Sequence, residues 1–151
     1  MTEQKITKII KDEFRNAVLK VEDKPDLTVY VANDKILQIC QFLHNDPELN
    51  FVYLSDICGV DYPQRTPRFD VVYHLYSIDK NQRIRVKIGI DEGETVSSVT
   101  GIWKGADWFE REVYDLFGIE FENHPDLRRI LLTDDWQGHP LRKDYPLEAT
   151  K

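Results

Sequence analysis

The stretch 83–90 alternates strictly: Ile84, Val86, Ile88 and Ile90 point one way, and Arg83, Arg85 and Lys87 point the other. A period of two puts successive side chains on opposite faces of a pleated sheet. The chain must therefore build a sheet with one apolar face for other elements to cover. The run 69–77 before it predicts the partner strand of a hairpin turning around 79–82. The cation row has two readings. It is a solvated face whose charges discourage edge pairing, or a face that meets an acidic partner.

Helical spacing elsewhere supplies the cover. Ile6, Ile9, Ile10 and Phe14 form one stripe within 2–17. Ile36, Leu37, Ile39, Cys40 and Leu43 form another within 34–44, with Asn33 as its expected cap and the run 45–47 as its end. Strands are predicted at 18–21, at 27–31 with Leu27, Val29 and Val31 on one face, and at 51–54. The stretch 55–61 is expected to be a connection, and Pro63 and Pro67 bracket a loop. The segment 96–103 is expected to be irregular, and 119–121 a short strand. The fold class is therefore α+β, with helices packed on a mixed, mostly antiparallel sheet.

Asp107 and Glu110 stand at capping-box spacing, and Gly118 is placed to stop a helix in the left-handed conformation. Phe109, Val113, Leu116 and Phe117 fall on one arc and should face the core. Glu110 and Glu112 flank that arc, while Trp108, Arg111 and Asp115 lie together on the far side. Carboxylates at the edge of a buried stripe call for donors, because an unpaired half-buried carboxylate is costly. Arg128, Arg129, Arg142 and Lys143 are the available cations, and pairing of both glutamates with arginines or backbone donors of this chain is expected.

Beyond Phe121 the chain changes character. Pro125, Pro140 and Pro146 hold the residues before them extended. Trp136, Leu141, Tyr145 and the run 130–132 give it more apolar content than a disordered tail carries. The expected organisation is a compact body over 1–121 followed by an extended partner-binding arm over 122–151.

Composition closes several other routes. The 151 residues suit one domain, and the formal net charge of −7 argues against general nucleic-acid binding or a polybasic membrane patch. No apolar run is long enough to span a bilayer. Cys40 and Cys58 are the only cysteines, too few for an iron–sulfur cluster, and Cys40 is expected as a buried thiol. No phosphate loop, dinucleotide fingerprint, H-E-x-x-H or nucleophile elbow occurs. His124, His139, Asp134 and Asp135 have no fixed metal-ligand spacing. No catalytic, cofactor-binding or metal-binding residue is assigned.

Three runs carry a resemblance. They are Glu110-Arg111-Glu112 with Asp115-Leu116-Phe117-Gly118-Ile119, then His124-Pro125-Asp126-Leu127-Arg128-Arg129-Ile130-Leu131, then Gly138-His139-Pro140-Leu141-Arg142-Lys143-Asp144-Tyr145-Pro146-Leu147. With Asp61-Tyr62-Pro63 upstream, the chain resembles the 30 kDa-type subunit of respiratory complex I, the NADH–quinone oxidoreductase. The resemblance implies a non-redox peripheral-arm subunit of a proton-translocating complex, on the cytoplasmic side of the bacterial inner membrane. It implies partners equivalent to the D and B subunits of that complex, with FMN and iron–sulfur clusters held by other subunits and none in this chain. Membrane contact would be indirect, through the complex. The alternative it leaves open is the equivalent subunit of a membrane-bound hydrogenase or of a quinone reductase complex with ferredoxin or another donor. Glu110, Arg111, Glu112, Asp115, His124, Arg128, Arg129, Trp136, Leu141, Arg142 and Tyr145 are then expected as structural or interface residues.

Overall fold

A computed structural model describes residues 2–146. The final run of the predicted arm, including Leu147 of the resemblance motif, lies outside the described residues. In chain order the elements are α1 (Glu3–Glu13), β1 (Val18–Glu22), β2 (Thr28–Val31), α2 (Ile36–Asn45), β3 (Tyr53–Asp61), β4 (Phe69–Ser77), β5 (Gln82–Ile90), β6 (Thr95–Ser97), α3 (Ala106–Phe117) and β7 (Glu120–Glu122). A five-stranded sheet runs β1-β2-β5-β4-β3, and β6 and β7 form a separate parallel pair. The large sheet is mixed: β2 pairs parallel with β5, and its other neighbours pair antiparallel.

The alternation of β5 sets the layers. Ile84, Val86, Ile88 and Ile90 are buried with Ile6 and Ile10 of α1, Ile36, Ile39, Cys40 and Leu43 of α2, and Val113 and Phe117 of α3. All three helices thus cover one face of the sheet. The opposite face, with Arg83, Arg85 and Lys87, has no helix over it among the described residues.

Two local expectations are corrected. The stretch 55–61 is not a connection, because it continues β3, whose nine residues pair with β4 from Tyr53↔Tyr76 to Asp61↔Phe69. The long β4 beside it supplies the ladder partners that the mixed composition of 55–61 does not advertise. Asn33 does not cap α2; it opens a 3-10 turn, and its side-chain amide donates to the Thr95 carbonyl at 2.9 Å. A long-range acceptor has taken the group that local spacing assigned to the helix.

Candidate functional site: an arm anchored on the third helix

Every helix leaves its last four carbonyls without intrahelical donors. In α3 the chain that follows supplies them. Gly118, at φ 80°, donates its N–H to the Tyr114 carbonyl at 2.8 Å, the left-handed ending expected from sequence. The Asp115 carbonyl accepts from Arg129 Nη1 at 3.1 Å and from His139 Nδ1 at 2.9 Å. Leu141 N–H donates to the Leu116 carbonyl at 2.9 Å, and Arg142 Nε donates to the Phe117 carbonyl at 2.7 Å. Cationic side chains here also complement the negative end of the helix dipole.

The Asp115 side chain is the second half of this anchor. It is fully buried, although the helix period puts it on the far side with Trp108 and Arg111. The arm returns over that side and covers it. One oxygen accepts from Arg129 Nη1 at 2.6 Å, and the other from the N–H groups of Ile130, Leu131 and Leu132 at 3.2, 2.8 and 3.0 Å. Desolvation pushes this carboxyl up, but the Arg129 guanidinium and the three amides outweigh it and hold the group below the ordinary aspartate value. Arg129 then reaches further along the arm, donating through Nη2 to the carbonyls of Trp136 and Gly138 at 3.1 and 2.7 Å. Arg111 holds the carbonyls of Arg128 and Arg129 at 3.1 and 3.0 Å. The Arg128 side chain points outward to Asp126 at 2.9 Å.

A second buried carboxylate secures the far end. Asp61, in β3, takes Arg68 Nε and Nη2 at 2.7 and 2.8 Å and the Lys143 N–H at 2.8 Å. The Arg68 guanidinium holds its carboxyl below the usual range, against the cost of burial. Asp144 stands 3.1 Å from Arg68, and Arg142 meets Glu92 at 2.7 Å. In the sequence Asp61 stands out only as part of a resemblance motif, and Arg68 and Glu92 carry no local signal. Their pairing depends on the β3–β4 turn and the acidic turn after β5 arriving at one place, which no local periodicity encodes.

Glu110 begins a third cluster. The expected capping box does not form: α3 starts at Ala106, Gly105 stands at its N-cap, and no side chain caps it. Glu110 is fully buried and turns instead to the segment after β6, accepting from Ser98 Oγ at 2.6 Å and Val99 N–H at 2.8 Å. Desolvation raises its carboxyl above the ordinary glutamate value despite these donors. The His124 ring, also buried, has Nε2 at 3.2 Å from both the carbonyl and the side chain of Asp107. Its Nδ1 accepts the Asp126 N–H at 2.9 Å, which leaves the ring proton on Nε2. Glu110 therefore takes a backbone donor, while among the described residues Glu112 takes neither an arginine nor a backbone donor. Glu112 accepts from Trp108 Nε1 one helical turn away, at 2.7 Å.

The remaining residues expected at an interface face outward or bridge within the arm. Trp136 is 42% exposed and Leu141 is 51% exposed; Leu131, outside the expected interface set, is 53% exposed. Tyr145 is half-buried, donating its N–H to the Arg142 carbonyl and its hydroxyl to the Gln137 carbonyl. Among the described residues, no group of three or more metal-ligating side chains converges, and no helix is long and apolar enough to cross a membrane.

The fold and this site define a class: a two-layer α+β body that carries an extended arm, pinned by buried carboxylates on its last long helix and on a sheet strand. The chain belongs to the family of the respiratory-chain NADH dehydrogenase 30 kDa subunit, whose pattern matches residues 29–151. It is 54% identical over 129 residues to the C subunit of the NADH-quinone oxidoreductase of Roseiflexus sp. strain RS-1, covering 85% of this chain and 74% of that one. It is 49% identical over 142 residues to the corresponding NADH-quinone oxidoreductase protein of Geotalea uraniireducens, covering 93% and 85%. Its fold is similar to a chain in the structure of the membrane-bound sulfane sulfur reductase, an archaeal respiratory membrane complex. That match has a TM-score of 0.80 and 26% identity, and covers 95% of this chain and 85% of that one.

Proposed function

We propose that this protein is a non-redox peripheral-arm subunit of a proton-translocating NADH–quinone oxidoreductase, on the cytoplasmic side of the bacterial inner membrane. Electron transfer from NADH to quinone belongs to the assembly, with FMN and iron–sulfur clusters in other subunits. This chain supports assembly of the module that holds the quinone site and the terminal cluster, against neighbours equivalent to the D and B subunits. One observation carries the reading. The arm is tied by hydrogen bonds to α3 and β3, while its large apolar side chains at Leu131, Trp136 and Leu141 are left half exposed. Such outward anchors on a preorganised strap suit a protein–protein interface.

Co-purification of the tagged full chain from solubilised membranes tests this, with its partners identified by mass. Deletion of 134–151 should leave the body folded, because Asp115 keeps Arg129 and its three amides and Asp61 keeps Arg68. The same deletion should abolish co-purification, and undiminished assembly would refute the arm's role.

A second reading follows from the sulfane sulfur reductase match: an equivalent subunit in a respiratory membrane complex with another electron donor, such as a membrane-bound hydrogenase. A flavin-containing NADH-oxidising subunit among the co-purified partners selects the first reading. A nickel-ligating large subunit in its place selects the second.

A further inference from the structure

The helix-free face of the large sheet carries an interaction surface separate from the arm. Across it the register aligns Thr28 with Arg85 and Tyr30 with Lys87 on β2 and β5, then Arg85 with His74 and Arg83 with Tyr76 on β5 and β4. Three cations thus sit in a row on an open face of a protein whose formal net charge is −7.

Their bonding sets them apart. Arg68, Arg129 and Arg142 each hold a carboxylate within 2.7 Å. No ion pair within 4.0 Å reaches Arg83, Arg85 or Lys87 among the described residues. Arg83 lies over the Tyr76 ring at 4.7 Å, and Lys87 lies over the Tyr30 ring at 5.2 Å and 3.4 Å from its hydroxyl. Arg85 Nε is buried without an acceptor. A buried guanidinium donor without an acceptor is costly, and an incoming oxygen removes that cost. Beside it opens a cavity of about 330 Å³ lined by Arg83, Arg85, His74 and Ser55, and also by Asp26 and Asp56. Burial lowers the basicity of His74.

We infer that this face docks an acidic segment of a partner protein, with one partner carboxylate entering the cavity against Arg83 and Arg85 and a second meeting Lys87. Arginine's planar fork suits a carboxylate, and the tyrosine rings beneath Arg83 and Lys87 hold their charges outward. Asp26 and Asp56 would repel a dense polyanion and accept donors from the partner's backbone. This favours a peptide, which brings N–H groups between its carboxylates, over a lipid surface or a nucleic acid. The inference does not depend on the arm, whose contacts lie on α3, β3, β6, Phe69 at the start of β4 and the turns beside them, away from Arg83, Arg85 and Lys87.

The test uses the purified full chain with a fluorescent glutamate-rich peptide, and in parallel anionic vesicles and a single-stranded oligonucleotide. The peptide should bind the wild type and weaken as salt is raised. The variant R83Q/R85Q should lose about tenfold or more in affinity, while K8Q/K11Q on α1 should change it by less than about twofold. The thermal transition reports whether R83Q/R85Q is folded. R83Q alone removes an exposed cation, and its intermediate loss decides the matter if the double variant unfolds. No peptide binding, equal losses in both charge variants, or tighter binding of vesicles or oligonucleotide through the same arginines would each overturn the inference.

Discussion

Arg129 Nη1 lies 2.6 Å from a side-chain oxygen of Asp115 and 3.1 Å from the same residue's carbonyl, so one guanidinium ties the arm to both the side chain and the backbone of α3's last turn. The pair is almost wholly enclosed, with Asp115 at 0% and Arg129 at 12% side-chain exposure. Breaking a pair of this kind leaves the surviving charge without its partner. Asp115→Ala should destabilise the chain by about 3–5 kcal/mol in urea unfolding. Arg129→Ala should cost less, because three amides still serve Asp115. A double-mutant cycle should give a coupling above about 1 kcal/mol, and additive effects would show that the two residues act separately.

Acid should release the arm before it unfolds the sheet. Asp115 and Asp61 have folded-state values below the ordinary 3.8, so their contribution is complete above that value and is lost as pH falls through the depressed ones. Glu110 has the opposite sign. Its folded value lies above the ordinary 4.5, so it favours folding most below 4.5, and stability falls as pH rises through the raised value. Stability measured against pH should therefore rise at the acid end and then decline. Glu110→Gln should flatten the decline alone, while Asp115→Asn should flatten only the acid limb.

Gly118 has two constraints that can be separated. Its φ of +80° disfavours side chains, and an added Cβ would lie 2.7 Å from the His139 ring and 3.1 Å from Arg142. Gly118→Ala should cost about 1–2 kcal/mol from the backbone alone, and more from the clash. Gly118→Asn tolerates the dihedral and keeps the clash. Limited proteolysis of Gly118→Asn should cut near 139–142 while the sheet stays intact. Equal protection of both regions would show that the arm does not rest on this glycine.

The hydrogen bonds that tie Trp136 and Leu141 to the rest of the chain run through the backbone: the Trp136 carbonyl accepts from Arg129, and the Leu141 N–H donates to the Leu116 carbonyl. Alanine preserves both bonds. Trp136→Ala and Leu141→Ala should therefore change unfolding free energy by less than about 0.5 kcal/mol while sharply reducing recovery of the assembled complex. A large stability loss with normal recovery would place these side chains in the chain's own core.

The sequence by itself determined the layers. Strict alternation over 83–90 and helical stripes at Ile6, Ile36 and Val113 assign the buried faces, because a side chain's direction follows from backbone geometry within its own element. Gly118 was legible for the same local reason. Tertiary structure decided where the carboxylates went. Asp115 lies on the far side of its helix by period, yet it is buried because a segment fifteen residues on returns over it. Glu110 has cap spacing, yet Ser98 and Val99 claim it from another element. Periodicity reports which way a side chain points, and burial depends on what arrives there. Here the arrival is set by unpaired helix-end carbonyls and buried carboxylates, whose need for donors is satisfied only when the chain folds back.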